Sequence, residues 1–164
     1  VNLEDRPERR FERSVQARLD VVYDLLGWEA DRADECRAFD LHLRAPHLGV
    51  VTVEEKVVRW RRDPKIVVEL LQDTDTGSLG YLYQCFADRL HYVQCENDGT
   101  PHTLWCGNWP QFKEAVLLHL REGCPEIRWV RSGWGNTLVA LVSVFLPGSG
   151  MAMVDLTDHA WRVA

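Results

Sequence analysis

The chain has 164 residues, 46% of them hydrophobic and 27% charged, which is a globular balance and not a disordered one. Nineteen Lys and Arg stand against 25 Asp and Glu, a net charge of −6, which argues against a general nucleic-acid coat protein, whose affinity rests on neutralising phosphates. No apolar run reaches the roughly 18 residues of a membrane span and no secretory leader is evident, so the expectation is a cytoplasmic protein with no membrane partner.

The spacing of Phe11, Val15, Leu19, Val22 and Leu26 predicts a helix that stops at Gly27. "AFDLHLR" follows, alternating apolar and polar residues as a strand does. After the turn "APHLG" comes a long β-branched strand, "VVTVEEKVVRW". "RRDP" turns the chain again into "KIVVELLQD", apolar enough for a central strand. Short turns between three strands suggest an antiparallel meander. "YLYQCFADRL" reads as a short helix, "RLHYVQC" and "HTLWC" as strands. Asn108, Pro110 and Gln111 announce a capped helix running to Gly123. "EIRWVRS" and "TLVALVSVFL" are two more strands, and the tail "DLTDHAWRVA" is ambiguous. With no repeat and no linker, residues 1–164 are expected to form one domain, with helices packed on a mixed sheet.

The five cysteines, Cys36, Cys85, Cys95, Cys106 and Cys124, are odd in number and contain no C-x-x-C, which fits reduced thiols. The six histidines show no HxxxH or HxH spacing, so a zinc site is not expected. Neither a nucleophile elbow nor a phosphate-binding P-loop is present.

One feature resists a structural explanation. Glu54, Glu55 and Lys56 interrupt a run of valines, and charged groups are rarely buried unless paired or holding a metal. Side chains alternate along a strand, so Glu54 and Lys56 share one face and Glu55 takes the other. Pairing the two strands about residue 47 brings Asp40 abreast of Glu54. Two carboxylates can hold Mg²⁺ or Mn²⁺, and a neighbouring lysine can orient an attacking water or stabilise developing charge. The target would be a phosphodiester. The competing explanation is a solvated strand face, which most acid-x-Lys triples are.

Asp40 followed by Glu54-x-Lys56, in the order helix–three strands–helix–strand, resembles the PD-(D/E)XK nuclease superfamily. "VVELLQDTDTGSLGYLYQCFADRLHYV" is similar to a stretch of its phage- and prokaryote-type members. The resemblance covers about residues 8–95, leaving 96–164 as a C-terminal elaboration. It implies an α/β, restriction-endonuclease-like fold, a mixed β-sheet flanked by helices. It implies a Mg²⁺- or Mn²⁺-dependent deoxyribonuclease, an endonuclease acting on DNA. Asp40 and Glu54 would be metal ligands with the Glu55 carbonyl nearby, Lys56 the catalytic lysine, and Glu12 an extra acidic residue; Glu69 is a weaker candidate. Phe39 stands where the motif has Pro, and no Gln-x-x-x-Tyr of the exonuclease branch follows Gln84. Arg59, Trp60, Arg61, Arg62 and Lys65 could contact nucleic-acid backbone and bases, or be a charged hairpin tip. Tyr81, Tyr83 and Gln84 could face phosphate, or lie in the core. A homodimer would let both strands be cut, with the Trp-rich C-terminal half supplying the interface. The alternative is a non-catalytic accessory or partner-binding protein on the same fold, of phage or mobile-element type.

Overall fold

A computed structural model describes residues 7–33, 39–60, 62, 65–73, 75–123, 126–132 and 135–157. The first helix, α1 (Pro7–Leu25), buries Val15, Leu19, Val22 and Tyr23 on one stripe and ends just before Gly27, whose φ of 74° suits a residue without a Cβ. Next come β1 (Glu29–Arg32), β2 (Leu41–Ala45) and β3 (Gly49–Arg59). Leu41, Leu43 and Ala45 of β2 are buried while His42 and Arg44 are exposed, the alternation expected of a strand with one wet face.

β4 (Lys65–Asp73), β5 (Ser78–Leu79), the short helix α2 (Tyr81–Gln84), β6 (Arg89–Cys95) and β7 (Pro101–Asn108) follow. Helix α3 (Trp109–Arg121) starts as expected, with the Asn108 side chain accepting the Gln111 amide. The chain then forms β8 (Glu126–Ser132), β9 (Gly135–Ser143) and β10 (Ala152–Asp155). Among the described residues no helix is long and apolar enough to cross a membrane. Cys36 and Cys124 lie outside the described residues; Cys85, Cys95 and Cys106 are free thiols.

The strands form two sheets. A six-stranded mixed sheet has the order β1-β2-β3-β6-β7-β10, and a four-stranded antiparallel sheet the order β5-β4-β9-β8. The expected three-strand meander is therefore corrected. β2 and β3 pair antiparallel, but β4 leaves for the second sheet and pairs with β9. The edge of β3 that β4 would have taken is filled by β6, parallel and in register from Val53↔Arg89 to Arg59↔Cys95. The apolar face of β4 explains the choice. Ile66, Val68 and Leu70 pack with Leu90, Tyr92 and Trp105 of the mixed sheet and with Trp109, Phe112 and Val116 of α3. Each such burial is worth roughly 1.5–3 kcal/mol, which a wet meander strand would forgo.

Two cores thus flank the mixed sheet. On one face α1 packs against Leu41, Val53, Val93 and Leu104. On the other lie the second sheet, α2 and α3. β3 is central, and this arrangement exposes neither of its faces fully to water.

Burial pushes the Cys85, Cys95 and Cys106 thiols up to about 12. Unfolded thiols ionise near 8.5, so between about pH 9 and 12 the unfolded chain releases protons that the folded chain keeps, and stability falls as pH rises through that window. We expect unfolding in urea to need less denaturant as pH rises above about 9, since each buried thiol that stays protonated lowers the stability by up to about 1.4 kcal/mol per pH unit crossed. Cys95→Ala should make that slope shallower.

Candidate functional site

β3 carries its charges to both cores. Glu54 and Lys56 stand in register with Leu90 and Tyr92 of β6 and face the second sheet. Glu55 stands in register with His91 and faces α1.

On the first face, the Lys56 ammonium contacts Glu54 Oε1 directly. The Glu54 side chain is 7% exposed and that of Lys56 34%. Cys85 Sγ lies 3.7 Å from the other Glu54 oxygen. The Lys56 ammonium also sits 4.7 Å from the ring centre of Tyr81, a cation–π position. Tyr81 is fixed by its hydroxyl, which donates to the Val67 carbonyl at 2.9 Å, and by stacking on Trp109. Trp109 in turn donates to the Cys85 carbonyl. α2 approaches β4 closely at Gly80, where a Cβ would collide with the Glu69 carbonyl, so only glycine admits the helix here.

Asp40 lies one step beyond the last β2–β3 pair, Leu41↔Val53. Its amide donates to the Val53 carbonyl at 2.8 Å, and its carboxylate oxygen Oδ2 accepts the Glu55 amide at 2.7 Å. An extended residue directs its amide and carbonyl to the same side, so the Glu55 carbonyl also faces the Asp40 edge. Among the described residues Asp40 Oδ1 accepts no hydrogen bond.

The electrostatics follow from this crowding. Burial, offset in part by Lys56, and the charge of Asp40 raise the Glu54 carboxyl above its ordinary range. Burial pulls the Lys56 ammonium down, but Glu54 and Asp40, with Glu69 behind them, outweigh it and hold Lys56 above its usual value. Lys56 is therefore an ammonium at neutral pH. It can donate and stabilise negative charge, but it cannot take a proton.

The second face is a closed network. Arg32 Nη1 donates to Glu55 Oε1 at 3.1 Å, while its Nη2 and Nε grip both oxygens of Asp20 and Nη2 also reaches the Gln16 carbonyl. The Tyr23 hydroxyl donates to Glu55 Oε2 at 2.9 Å and lies 2.8 Å from His91 Nδ1. Burial and the charge of Arg89 lower His91 to about 3, so its ring is neutral. Tyr23 has one proton and gives it to Glu55, so Nδ1 of His91 must carry the hydrogen that donates to the Tyr23 oxygen.

The remaining expected residues lie on α1, on α2 and around the end of β3 and the start of β4. Glu12 lies on α1, whose buried stripe packs on the Glu55 face of the mixed sheet, and its neighbour Phe11 touches Arg59 at the far end of β3. Arg59 stacks over Phe11 and Trp60 over His102, so both lean toward local partners and not toward Lys56. Lys65 pairs with Glu126, and Arg62 is exposed; Arg61 lies outside the described residues. Tyr81 sits at the site, whereas Tyr83 is exposed and Gln84 donates to the Leu79 carbonyl. Asp88 ties β6 to β3 by accepting both the amide and the hydroxyl of Thr52. The partners that sequence reasoning missed are Tyr23, Arg32, His91 and Cys85. Only the burial requirement of Glu55 hinted at the first three.

No family model, curated protein or solved structure matches this chain.

Removing one member of a buried ion pair leaves the other uncompensated. Lys56→Met should cost roughly 2–3 kcal/mol, less than a fully buried pair because the lysine keeps some water. The double variant Glu54→Gln/Lys56→Met should recover most of that loss in urea unfolding.

Proposed function

We propose that this chain is a metal-dependent nuclease of the PD-(D/E)XK type, with the mixed sheet as a restriction-endonuclease-like core, hydrolysing DNA phosphodiesters. The observation that carries this reading is the Asp40 carboxylate, which accepts the Glu55 amide, has no partner for its second oxygen among the described residues, and acts by its charge on Glu54 and Lys56.

The donor set fits a hard divalent cation, Mg²⁺ or Mn²⁺. Asp40 Oδ1, a Glu54 oxygen and the Glu55 carbonyl are all oxygen donors, and such ions take one or two carboxylates and keep several waters. Among the described residues no three His, Cys, Asp or Glu side chains converge as a ligand set. The ion would thus rest on two carboxylates, completed by the carbonyl and solvent. The chemistry a cation supplies there is charge neutralisation on a phosphoryl oxygen and easier ionisation of the attacking water.

The chain's own residues do the rest. Asp40, fixed through the Glu55 amide, and Glu54 would hold the ion. Lys56 stays protonated and donates toward the phosphoryl oxygen as charge builds, after exchanging its Glu54 contact for substrate. Tyr81 limits where that ammonium can swing. Arg59, Trp60 and Arg62, at the end of β3, would meet the nucleic-acid backbone beyond the scissile group.

A second reading has its own support. Glu54 and Lys56 neutralise each other within a largely buried pair, which a non-catalytic accessory protein on the same fold would also use. Metal-dependent cleavage separates the two. With plasmid and single-stranded DNA as substrates and RNA for comparison, we expect cleavage of DNA with Mg²⁺ or Mn²⁺ and none with EDTA. Lys56→Ala and Asp40→Asn should each lower the rate by roughly a hundredfold or more. Cleavage that survives both EDTA and Lys56→Ala would exclude this mechanism. An inert wild type whose melting temperature ignores Mn²⁺ would favour the accessory protein.

A further inference from the structure

The network beneath α1 is not itself aimed at the carboxylate site, yet it meets Asp40 twice. Asp40 is held on its acceptor side by two amides: Ala33 donates to its carbonyl at 2.9 Å, and Glu55 to its carboxylate at 2.7 Å. Ala33 directly follows Arg32, the last residue of β1. Glu55 is the residue with which Arg32 forms its buried ion pair. Both hands on Asp40 thus extend from the two ends of one salt bridge.

We propose that Arg32 and Glu55 are a positioning pair that sets the Asp40 carboxylate, by locking the end of β1 and the middle of β3 against α1.

The geometry makes the pair a hub. β1 is a four-residue edge strand whose ladder runs to β2 alone. So short an edge is weakly held by backbone bonds. Arg32 adds the missing anchor, since its guanidinium spans Asp20 and the Gln16 carbonyl of α1 as well as Glu55. A guanidinium suits this task because its planar fork engages two carboxylates at once, which an ammonium cannot do with the same directionality. On the Glu55 side, both carboxylate oxygens are taken, one by Arg32 and one by Tyr23. A carboxylate held at both oxygens cannot rotate, and the backbone that carries it cannot shift without breaking a charged contact. The amide of Glu55 therefore meets Asp40 from a fixed position. Hydrogen-bond partners one step behind a ligating carboxylate commonly matter 10–100-fold for metal affinity.

The metal readout of this inference rests on the nuclease reading; the backbone readout does not. Wild type, Arg32→Lys and Glu55→Gln are compared by amide hydrogen exchange and by Mn²⁺ titration followed by electron paramagnetic resonance. Arg18→Gln is the control: it loosens α1 from the Asp98–Thr100 turn and touches neither strand end. Glu55→Gln keeps an acceptor for Tyr23 and leaves no buried uncompensated carboxylate, so it is the variant safest to fold. We expect exchange at Ala33 and at residue 55 to quicken roughly tenfold or more in both variants, with Val93 and Leu104 unchanged. Mn²⁺ should bind about 10–100-fold more weakly. Arg18→Gln should lower the melting temperature while leaving the Ala33 and Glu55 exchange and the Mn²⁺ affinity at wild-type values. Unchanged exchange at both amides in both variants overturns the proposal. A wild type that binds no Mn²⁺ overturns the nuclease reading instead, and the exchange rates then decide the positioning by themselves.

Discussion

A central strand cannot leave a charge alone. β3 has a packed core on each face, and it sends a carboxylate into both. Each must be met by an opposite charge or a hydrogen-bond donor, because an unpaired ion in such a place costs several kcal/mol. Much of the remaining architecture answers that demand. α1 brings Tyr23 and Asp20, β1 brings Arg32, and α2 brings Tyr81 over Lys56.

The two answers differ in completeness. Glu55 has both oxygens occupied and is 3% exposed. Glu54 has one strong partner, the lysine beside it, and only a distant thiol at the other oxygen. A closed network stabilises one arrangement, whereas a half-open one can exchange partners with a ligand. Asp40 links the two, since its carboxylate rests on the backbone of one glutamate while its charge acts on the side chain of the other. The α1 face is thus the closed one, and the opposite face keeps the looser contacts.

Local pattern revealed what local physics decides. The apolar stripe of α1, the alternation of β2 and the cap at Asn108 were all legible in the sequence, because helix period, strand period and capping depend on near neighbours. A symmetric turn about residue 47 was legible but left the exact β2–β3 register open; the structure fixes it at Leu41↔Val53 and Ala45↔Gly49, which sets Asp40 beside the Glu54–Glu55 step. β4 was legible as a strand but not in its sheet. Its turn suited a hairpin, and only the competition between β4 and β6 for one strand edge decided otherwise. β1 went unread because "EADR" is short and polar, and a strand of that kind exists only when a neighbour supplies the ladder. Arg32 went unread with it. Which side of the sheet receives α1 was not legible, because helical periodicity reveals which stripe is buried but not which face it meets.

The parallel join between β3 and β6 also governs how the molecule comes into being. Glu54 and Leu90 are neighbours in space but 36 positions apart in the chain, and the intervening chain must first form β4, β5 and α2. Closing so large a loop spends chain entropy before any of the contacts it enables can repay it. The β2–β3 hairpin, by contrast, can zip from its own turn. During synthesis, then, the hairpin can bring Asp40 and Glu54 together before β6, the strand that closes the other edge of β3, has been made.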